Sequence, residues 1–262
     1  MIHPTAVVDG TARIARSATI GPYCVIGAHV TIGADAHLLS HVVIDGPTTI
    51  GARVTVHPFA VLGGAPQDRS HAGEATELTI GDDTVIREHA TLHRGTRKDR
   101  GKTIVGARCL VMVGVHVAHD VVVGDDCTIA NACQLAGHCV LEDGVTMGGA
   151  AALAPFVRVG EAAFVAAGAC VEHDVPPFHI AQGDRARVRA LNTVGLRRRN
   201  VAPASIAALE RAHKLVYRSH APIETSLVTV LAREDDALVK LLVEFLRTRT
   251  TLPGPARTGR AG

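Results

Sequence analysis

Aliphatic residues recur at every sixth position along most of the chain. From Ile2 the series runs through Val8, Ile14, Ile20, Ile26, Ile32, Leu38, Ile44, Ile50, Val56 and Leu62, then resumes at Ile80, Ile86 and Leu92. It resumes again at Val105 and continues through Val111, Val117, Val123, Ile129, Leu135, Leu141, Met147, Leu153, Val159, Val165 and Val171. With 47% hydrophobic residues, an uninterrupted match at all these positions has a random probability on the order of 10⁻⁹ to 10⁻⁸. The position two before each anchor is mostly small (Ala6, Ala12, Ala18, Cys24, Ala36, Ala60, Ala90), and glycine often follows the anchor, as in Gly21, Gly33, Gly81, Gly106 and Gly124. Residues two apart on a strand share a face, so each unit predicts a short strand with two inward side chains and a corner. The glycines are expected where the corner needs backbone conformations that a Cβ resists. Three units close one triangular coil of a parallel β-helix whose coils stack about 4.7 to 4.9 Å apart.

Two polar stretches without anchors, at about 63–79 and 93–104, predict loops thrown out of a coil corner. Val175-Pro176-Pro177 predicts the end of the solenoid, which is assigned residues 1–183. Helical spacing follows, with Ile206, Leu209, His213, Leu215 and Val216, then Leu238, Leu241, Leu242 and Phe245, and predicts a small α-helical domain over 184–252. The last ten residues, 253–262, are expected to be a disordered tail.

Composition narrows the class. Aromatic residues make up 3% of the chain and Trp is absent, which leaves few rings for base stacking and argues against a nucleic-acid partner. No apolar run is long enough to span a bilayer, and the repeat begins too early for a signal peptide, so a cytoplasmic protein without a transmembrane segment is expected. Five of the six cysteines (Cys24, Cys109, Cys127, Cys133, Cys139) fall at the small inward position and read as buried apolar residues, not as disulfides or metal ligands. The net charge of +2 hides a segregation: residues 185–262 carry +9 and residues 1–184 carry −7. A basic C-terminal segment suits phosphates or an acidic protein partner.

Trimming the two loops so that the anchors run on places Leu62, Leu92, Val117, Leu135, Leu153 and Val171 on one edge in successive coils. Arg94, His119 and Gly137 then occupy equivalent positions, with His93, His116, Asp120, Gln134 and His138 around them. Both loops and several of the 15 His thus converge within three coils, the usual description of a site.

The stretches Gln67-Asp68 with Ala72-Gly73-Glu74, Leu92-His93-Arg94-Gly95-Thr96, His116-Val117-Ala118-His119-Asp120 and Leu135-Ala136-Gly137-His138 resemble the UDP-N-acetylglucosamine O-acyltransferases that begin lipid A synthesis. Asp174-Val175-Pro176-Pro177, Ile180-Ala181-Gln182-Gly183, Gly195-Leu196-Arg197-Arg198-Arg199 and Lys214-Leu215-Val216-Tyr217-Arg218-Ser219 extend the likeness into the helical segment. The resemblance implies an all-β left-handed parallel β-helix with a helical C-terminal domain, assembled as a homotrimer with sites between subunits. It implies transfer of an (R)-3-hydroxyacyl group from the phosphopantetheine of acyl carrier protein to the 3-hydroxyl of UDP-N-acetylglucosamine, with no cofactor or metal bound by the protein. By position, His119 is the implied general base, Asp120 its orienting carboxylate and Gly137 the backbone donor to the thioester oxyanion. His93, His116, His138, Gln67 and Asp68 are implied in substrate binding, Asn192, Arg198 and Arg199 in handling the nucleotide, and Ala167 in setting acyl length.

Those roles suit the residues. Imidazole titrates near neutral pH and can take the proton of a sugar hydroxyl, glycine admits a carbonyl close to the backbone, and arginine pairs with phosphate oxygens. Neighbours on a straight strand point to opposite faces, so Asp120 reaches His119 only at a corner. The chain departs from the family pattern at Ser70, where a lysine is usual, at Ala154-Pro155, where a His-Gln pair is usual, and at Val194, where an acidic residue is usual. These changes fit an altered acceptor, such as a 3-amino sugar nucleotide, or a catalytically weak scaffold. A γ-type carbonic anhydrase, with three His on zinc, is a further alternative that His93, His116, His119 and His138 would have to serve.

Overall fold

The computed structural model describes residues 1–219 and 221–248. The expected tail at 253–262 lies outside them. The chain winds over three parallel sheets, of nine, eight and ten strands, and visits them in strict rotation. Outside the coils that carry an excursion and the last coil, successive strands of one sheet pair in register 18 residues apart, as in Val7↔Val25, Leu110↔Thr128 and Val140↔Arg158. One continuous core fills the prism: the anchors from Ile20 onward and their i−2 partners are almost fully buried. The inward cysteines do more than fill space. Each of the five donates its thiol to a carbonyl 15 residues on, in the next coil: Leu39, Gly124, Glu142, Gly148 and Ala154 for Cys24, Cys109, Cys127, Cys133 and Cys139. Cys170 is exposed.

The glycines after the anchors have a different cause from the one expected. The left-handed backbone falls two residues later, on side chains such as Tyr23, His29, Asp35, Arg53, Asp83 and Asp126, all with φ between 56° and 59°. Gly33, Gly81 and Gly106 are required instead by stacking. A Cβ on them would lie 2.6, 2.6 and 2.5 Å from backbone atoms of the next coil.

Both excursions leave the corner between the first and second faces. They span 65–76, between strands Val61–Gly64 and Glu77–Ile80, and 94–101, between Thr91–His93 and Lys102–Val105. They are shorter than the polar stretches because these four strands extend past the usual two residues. Glu77–Ile80 and Lys102–Val105 pair along all four positions.

The solenoid also continues beyond Val175-Pro176-Pro177. Val159 bridges Val175 and Val165 pairs with Ala181, so the last coil closes in 16 residues. The Pro177 ring fills the corner over Gly160, where a Cβ would lie 2.5 Å from it. Strand His179–Gln182 then pairs antiparallel with Arg187–Leu191. Residues 187–191, expected in the helical segment, are therefore strand, because they cap the open edge of the third sheet. Helices follow as α1 (Thr193–Arg198), α2 (Pro203–Tyr217), α3 (Ile223–Arg233) and α4 (Ala237–Arg247). They form a second core around Leu196, Leu209, Leu227 and Leu242. Arg158, paired with Glu142, lies 4.3 Å under the Phe245 ring and ties α4 to the solenoid.

If stacking is what demands the glycines, Gly106→Ala should cost about 1 to 3 kcal/mol. Gly114→Ala, at φ 66° with open space around its Cβ, should cost about 1 kcal/mol. Thermal unfolding of the two variants checks the order, and the reverse order would refute the stacking account.

Candidate active site

The first-to-second corner carries His119 and Asp120 on one rung and Gly137 and His138 on the next, since strand His116–Val117 pairs with Gln134–Leu135. Asp120 has φ 60°, a true corner conformation, and this lets two consecutive side chains meet. The Nδ1–H of His119 donates to Asp120 Oδ2 at 2.9 Å, which leaves Nε2 as the free nitrogen. The imidazole lies outside the prism, 16% exposed, while Asp120 beneath it is completely buried.

Gly137 is the next rung's counterpart of His119. A Cβ there would sit 2.6 Å from His119 Cε1 and 2.9 Å from Nε2, so only glycine leaves the ring its place. At equivalent corner positions of the opposite edge, the amides of Ala52, Ala107 and Asp125 donate to carboxylates of the next coil. The buried Gly137 amide donates to no acceptor among the described residues.

The second loop holds this corner. Thr96 donates its backbone N–H to both Asp120 oxygens, at 2.9 and 3.1 Å, and its hydroxyl to Oδ2 at 2.6 Å. Thr103 Oγ1 accepts from the Asp120 amide. Burial would push the Asp120 carboxyl up, but the hydrogen bonds from His119 and Thr96 outweigh it and hold the group below its ordinary value. From the same loop, Lys98 reaches Asp68 of the first loop at 2.7 Å, and Asp99 faces His138 at 3.2 Å. Lys98, then the Ser70 amide and hydroxyl, hold Asp68 far below the usual carboxylate range. A lysine therefore pairs with the carboxylate that Ser70 caps, although it comes from the other loop.

The remaining histidines form a separate pair. His93 and His116 lie with ring centroids 5.2 Å apart. His93 also bonds the Ala65 carbonyl of the first loop, and His116 bonds the Thr91 hydroxyl. Burial, then the nearby His93, lowers the His116 imidazole below its ordinary value. Within one chain the four histidines fall into two pairs, His93 with His116 and His119 with His138. Among the described residues, His119, Asp120 and His138 have ligand-type atoms within 4.8 Å of one another. Each Nδ1 already faces a carboxylate, so hydrogen bonding accounts for the arrangement without an ion.

Gln67 is exposed on the first loop, beside Asp68. Four residues expected at the site stand elsewhere on this chain. Asn192 caps α1 and donates to the Ala162 carbonyl. With Arg198, Arg199 and Val194 it lines a cleft with Asp126, Gly144 and Phe164, on the corner between the second and third faces. Ala167 is exposed on the third-to-first corner. The structure therefore groups His119, Asp120, Gly137 and His138 at one corner under the second loop, sets His93 with His116 beside the first loop, and leaves Ala167, Asn192, Arg198 and Arg199 on other edges. Thr96 and Thr103 were not assigned roles from sequence. Thr96 lies inside a matching stretch, but no spacing rule shows that a loop residue will brace a buried carboxylate 24 positions on.

Comparison with known proteins identifies the family. Residues 174–253 match the model of the second domain of UDP-N-acetylglucosamine O-acyltransferase, and residues 29–64 and 102–137 match bacterial transferase hexapeptide repeats. The chain is 43% identical over 235 residues, 90% of each sequence, to the acyl-[acyl-carrier-protein]–UDP-N-acetylglucosamine O-acyltransferase of Herminiimonas arsenicoxydans. To the protein of that name from Saccharophagus degradans it is 42% identical, over 93% of this chain and 95% of the relative. The UDP-N-acetylglucosamine O-acyltransferase structure from Moraxella catarrhalis superposes with a TM-score of 0.90 at 41% identity, over 93% of this chain and 95% of that one. The Bacteroides fragilis structure gives 0.93 at 32% identity, over 95% and 97%. The 43% identity over nine-tenths of both sequences, with the repeat and helical-domain matches, places this chain in the UDP-N-acetylglucosamine O-acyltransferase family of hexapeptide-repeat enzymes.

Proposed function

We propose that the chain transfers an acyl group from acyl carrier protein to an oxygen of UDP-N-acetylglucosamine, the opening step of lipid A synthesis, with His119 as general base. The observation that carries the mechanism is the imidazole of His119, braced by a buried carboxylate and seated directly over the Gly137 backbone. His119 Nε2 takes the proton of the sugar 3-hydroxyl as that oxygen attacks the thioester carbon of an (R)-3-hydroxyacyl group. The Gly137 amide donates to the carbonyl oxygen as it becomes an oxyanion. The tetrahedral intermediate then collapses with cleavage of the C–S bond, and the thiolate of phosphopantetheine takes the proton back from His119. Asp120 stabilises the transient imidazolium and keeps the Nδ1–H tautomer. General-base assistance supplies about 10² to 10⁴ in rate, and one oxyanion donor about 10² to 10³.

The placement of Asn192, Arg198 and Arg199 on a different edge supports a homotrimer in which one subunit's first-to-second corner meets its neighbour's second-to-third corner. Exposed apolar side chains on the outer first face and its edge, among them Val7, Val25, Val61, Tyr23 and Phe59, support burial of that face by a second copy. Tyr23, His41, Phe59 and His89 stack along it at 4.9 to 5.2 Å. In this reading the neighbour's arginines meet the diphosphate, Ala167 bounds the acyl chain, and the basic C-terminal segment faces the acidic carrier protein.

Three outcomes follow. His119→Ala should lose at least about a hundredfold in turnover with hydroxyacyl carrier protein and UDP-N-acetylglucosamine. Near-normal turnover would remove His119 from the base role, and a preference for the 3-amino analogue would reassign the acceptor. Co-expressed His119→Ala and Arg199→Ala subunits should regain activity that neither has alone, since mixed trimers contain intact sites. No recovery in mixed assemblies would place the whole site on one subunit. Thr96→Val should destabilise the fold by about 1.5 to 3 kcal/mol at neutral pH, the worth of a hydrogen bond to a charged group. Because the Asp120 carboxyl is depressed on folding, that difference is present above the ordinary carboxylate pKa and should vanish as pH falls through the folded value. Denaturant unfolding at neutral and acidic pH measures it.

A further inference from the structure

We propose that Asp99 is a positioning residue of this reaction, holding His138 as its Nδ1–H tautomer beside His119. The inference rests on the acyl-transfer reading above and adds a second imidazole–carboxylate pair to the site.

His138 stands one rung above Asp120 in the same corner position, with φ 64°. Its amide donates to the His119 carbonyl at 3.1 Å, which fixes its backbone to the catalytic rung. Its ring is constrained on three sides. One face stacks on Phe156 of the following rung at 4.5 Å and 5°. The His119 ring meets it edge to face at 5.1 Å and 84°. Nδ1 lies 3.2 Å from Asp99 Oδ2 and 3.9 Å from Asp120 Oδ2. The titratable and charged groups facing it are therefore Asp99, Asp120, His119 and, beyond Asp99, Arg100, whose Nε lies 3.7 Å from Asp99 Oδ2.

Stacking between Phe156 and His119 sets the plane of the ring but not which nitrogen points which way, since a half-turn preserves the plane. Asp120 is committed to His119 and to both donors of Thr96. Asp99 is the carboxylate left to break the degeneracy. With Nδ1–H given to Asp99, Nε2 carries the lone pair and has no partner among the described residues. It is an acceptor presented beside the base, suited to a hydroxyl or amide N–H of the acceptor sugar.

Asp99 and Thr96 lie on one excursion, residues 94–101, so a single segment braces both imidazoles. Lys98 between them anchors it to Asp68 of the other loop. In the charged run Arg97-Lys98-Asp99-Arg100 the other three residues are exposed, whereas the Asp99 side chain, turned toward His138, is only 16% exposed.

The test is a double-mutant cycle read by steady-state acyl transfer, with thermal unfolding as the check on folding. Asp99→Ala should lose between about tenfold and a hundredfold in kcat/KM, the cost of a misoriented site group. Asp99→Asn, which keeps an oxygen acceptor, should recover most of it. In a His138→Ala background, Asp99→Ala should have almost no further effect, because Asp99 acts through that ring. ¹⁵N NMR of histidine-labelled protein should show His138 protonated at Nδ1 in the wild type and at a mixture of nitrogens in Asp99→Ala. A loss that persists undiminished without His138, or an unchanged tautomer, would assign Asp99 to loop structure and overturn the proposal. Absence of wild-type turnover would overturn the acyl-transfer reading and this inference together. Turnover that depends on His119 with an additive cycle overturns this inference alone.

Discussion

Everything in this molecule depends on the tight vertical spacing of its coils. Parallel strands in register 18 residues apart leave no room at certain corners for even one extra carbon, as at Gly33 and Gly106. The same closeness lets inward thiols reach the carbonyls of the next coil and brings the ring of His119 against Gly137. Stability and chemistry therefore draw on one geometric fact. A glycine that elsewhere permits stacking here leaves a space that an imidazole fills, with an amide free to serve a substrate.

The His119–Asp120 pair exploits the corner rather than the strand. Adjacent residues on an extended backbone diverge, yet His119 and Asp120 meet because the second of them turns into the left-handed region. That turn also drives the carboxylate inward, where burial opposes its charge and the donors of Thr96 and His119 restore it. Asp120 is buried and ionised at once because an excursion from the preceding coil wraps over it. The loops are thus structural members of the site as well as its rim.

Much of this was legible from residue spacing. The six-residue period dictates the prism, and trimming two polar stretches aligns His119 with Gly137, since stacking in such a fold is arithmetic. Legibility ends where geometry stops being periodic. The shortened last coil and the strand Arg187–Leu191 were missed because a proline-filled corner and an antiparallel cap obey no six-residue rule. The glycines were recognised for the wrong reason, since a sequence shows that a Cβ is absent but not whether torsion or contact forbids it. Thr96, Asp99 and Lys98 stayed hidden because loop side chains find partners through space, tens of positions away. Asn192 and Arg199 were read as site residues from resemblance alone. One chain by itself shows them on another edge.

The 18-residue register of the uninterrupted coils has a consequence for how such a molecule can change size. Both excursions and the His119–Gly137 corner occupy the coils from Leu62 to Leu153, and the coils before them carry no residue of that corner. Adding or removing a whole turn near the N-terminus would lengthen or shorten the column while leaving every side chain above it facing the same way. Adding a single residue inside a strand, instead of at a corner where the two excursions leave, would turn the side chains after it to the opposite face. Length in this architecture is quantised, and its growth is decoupled from its chemistry.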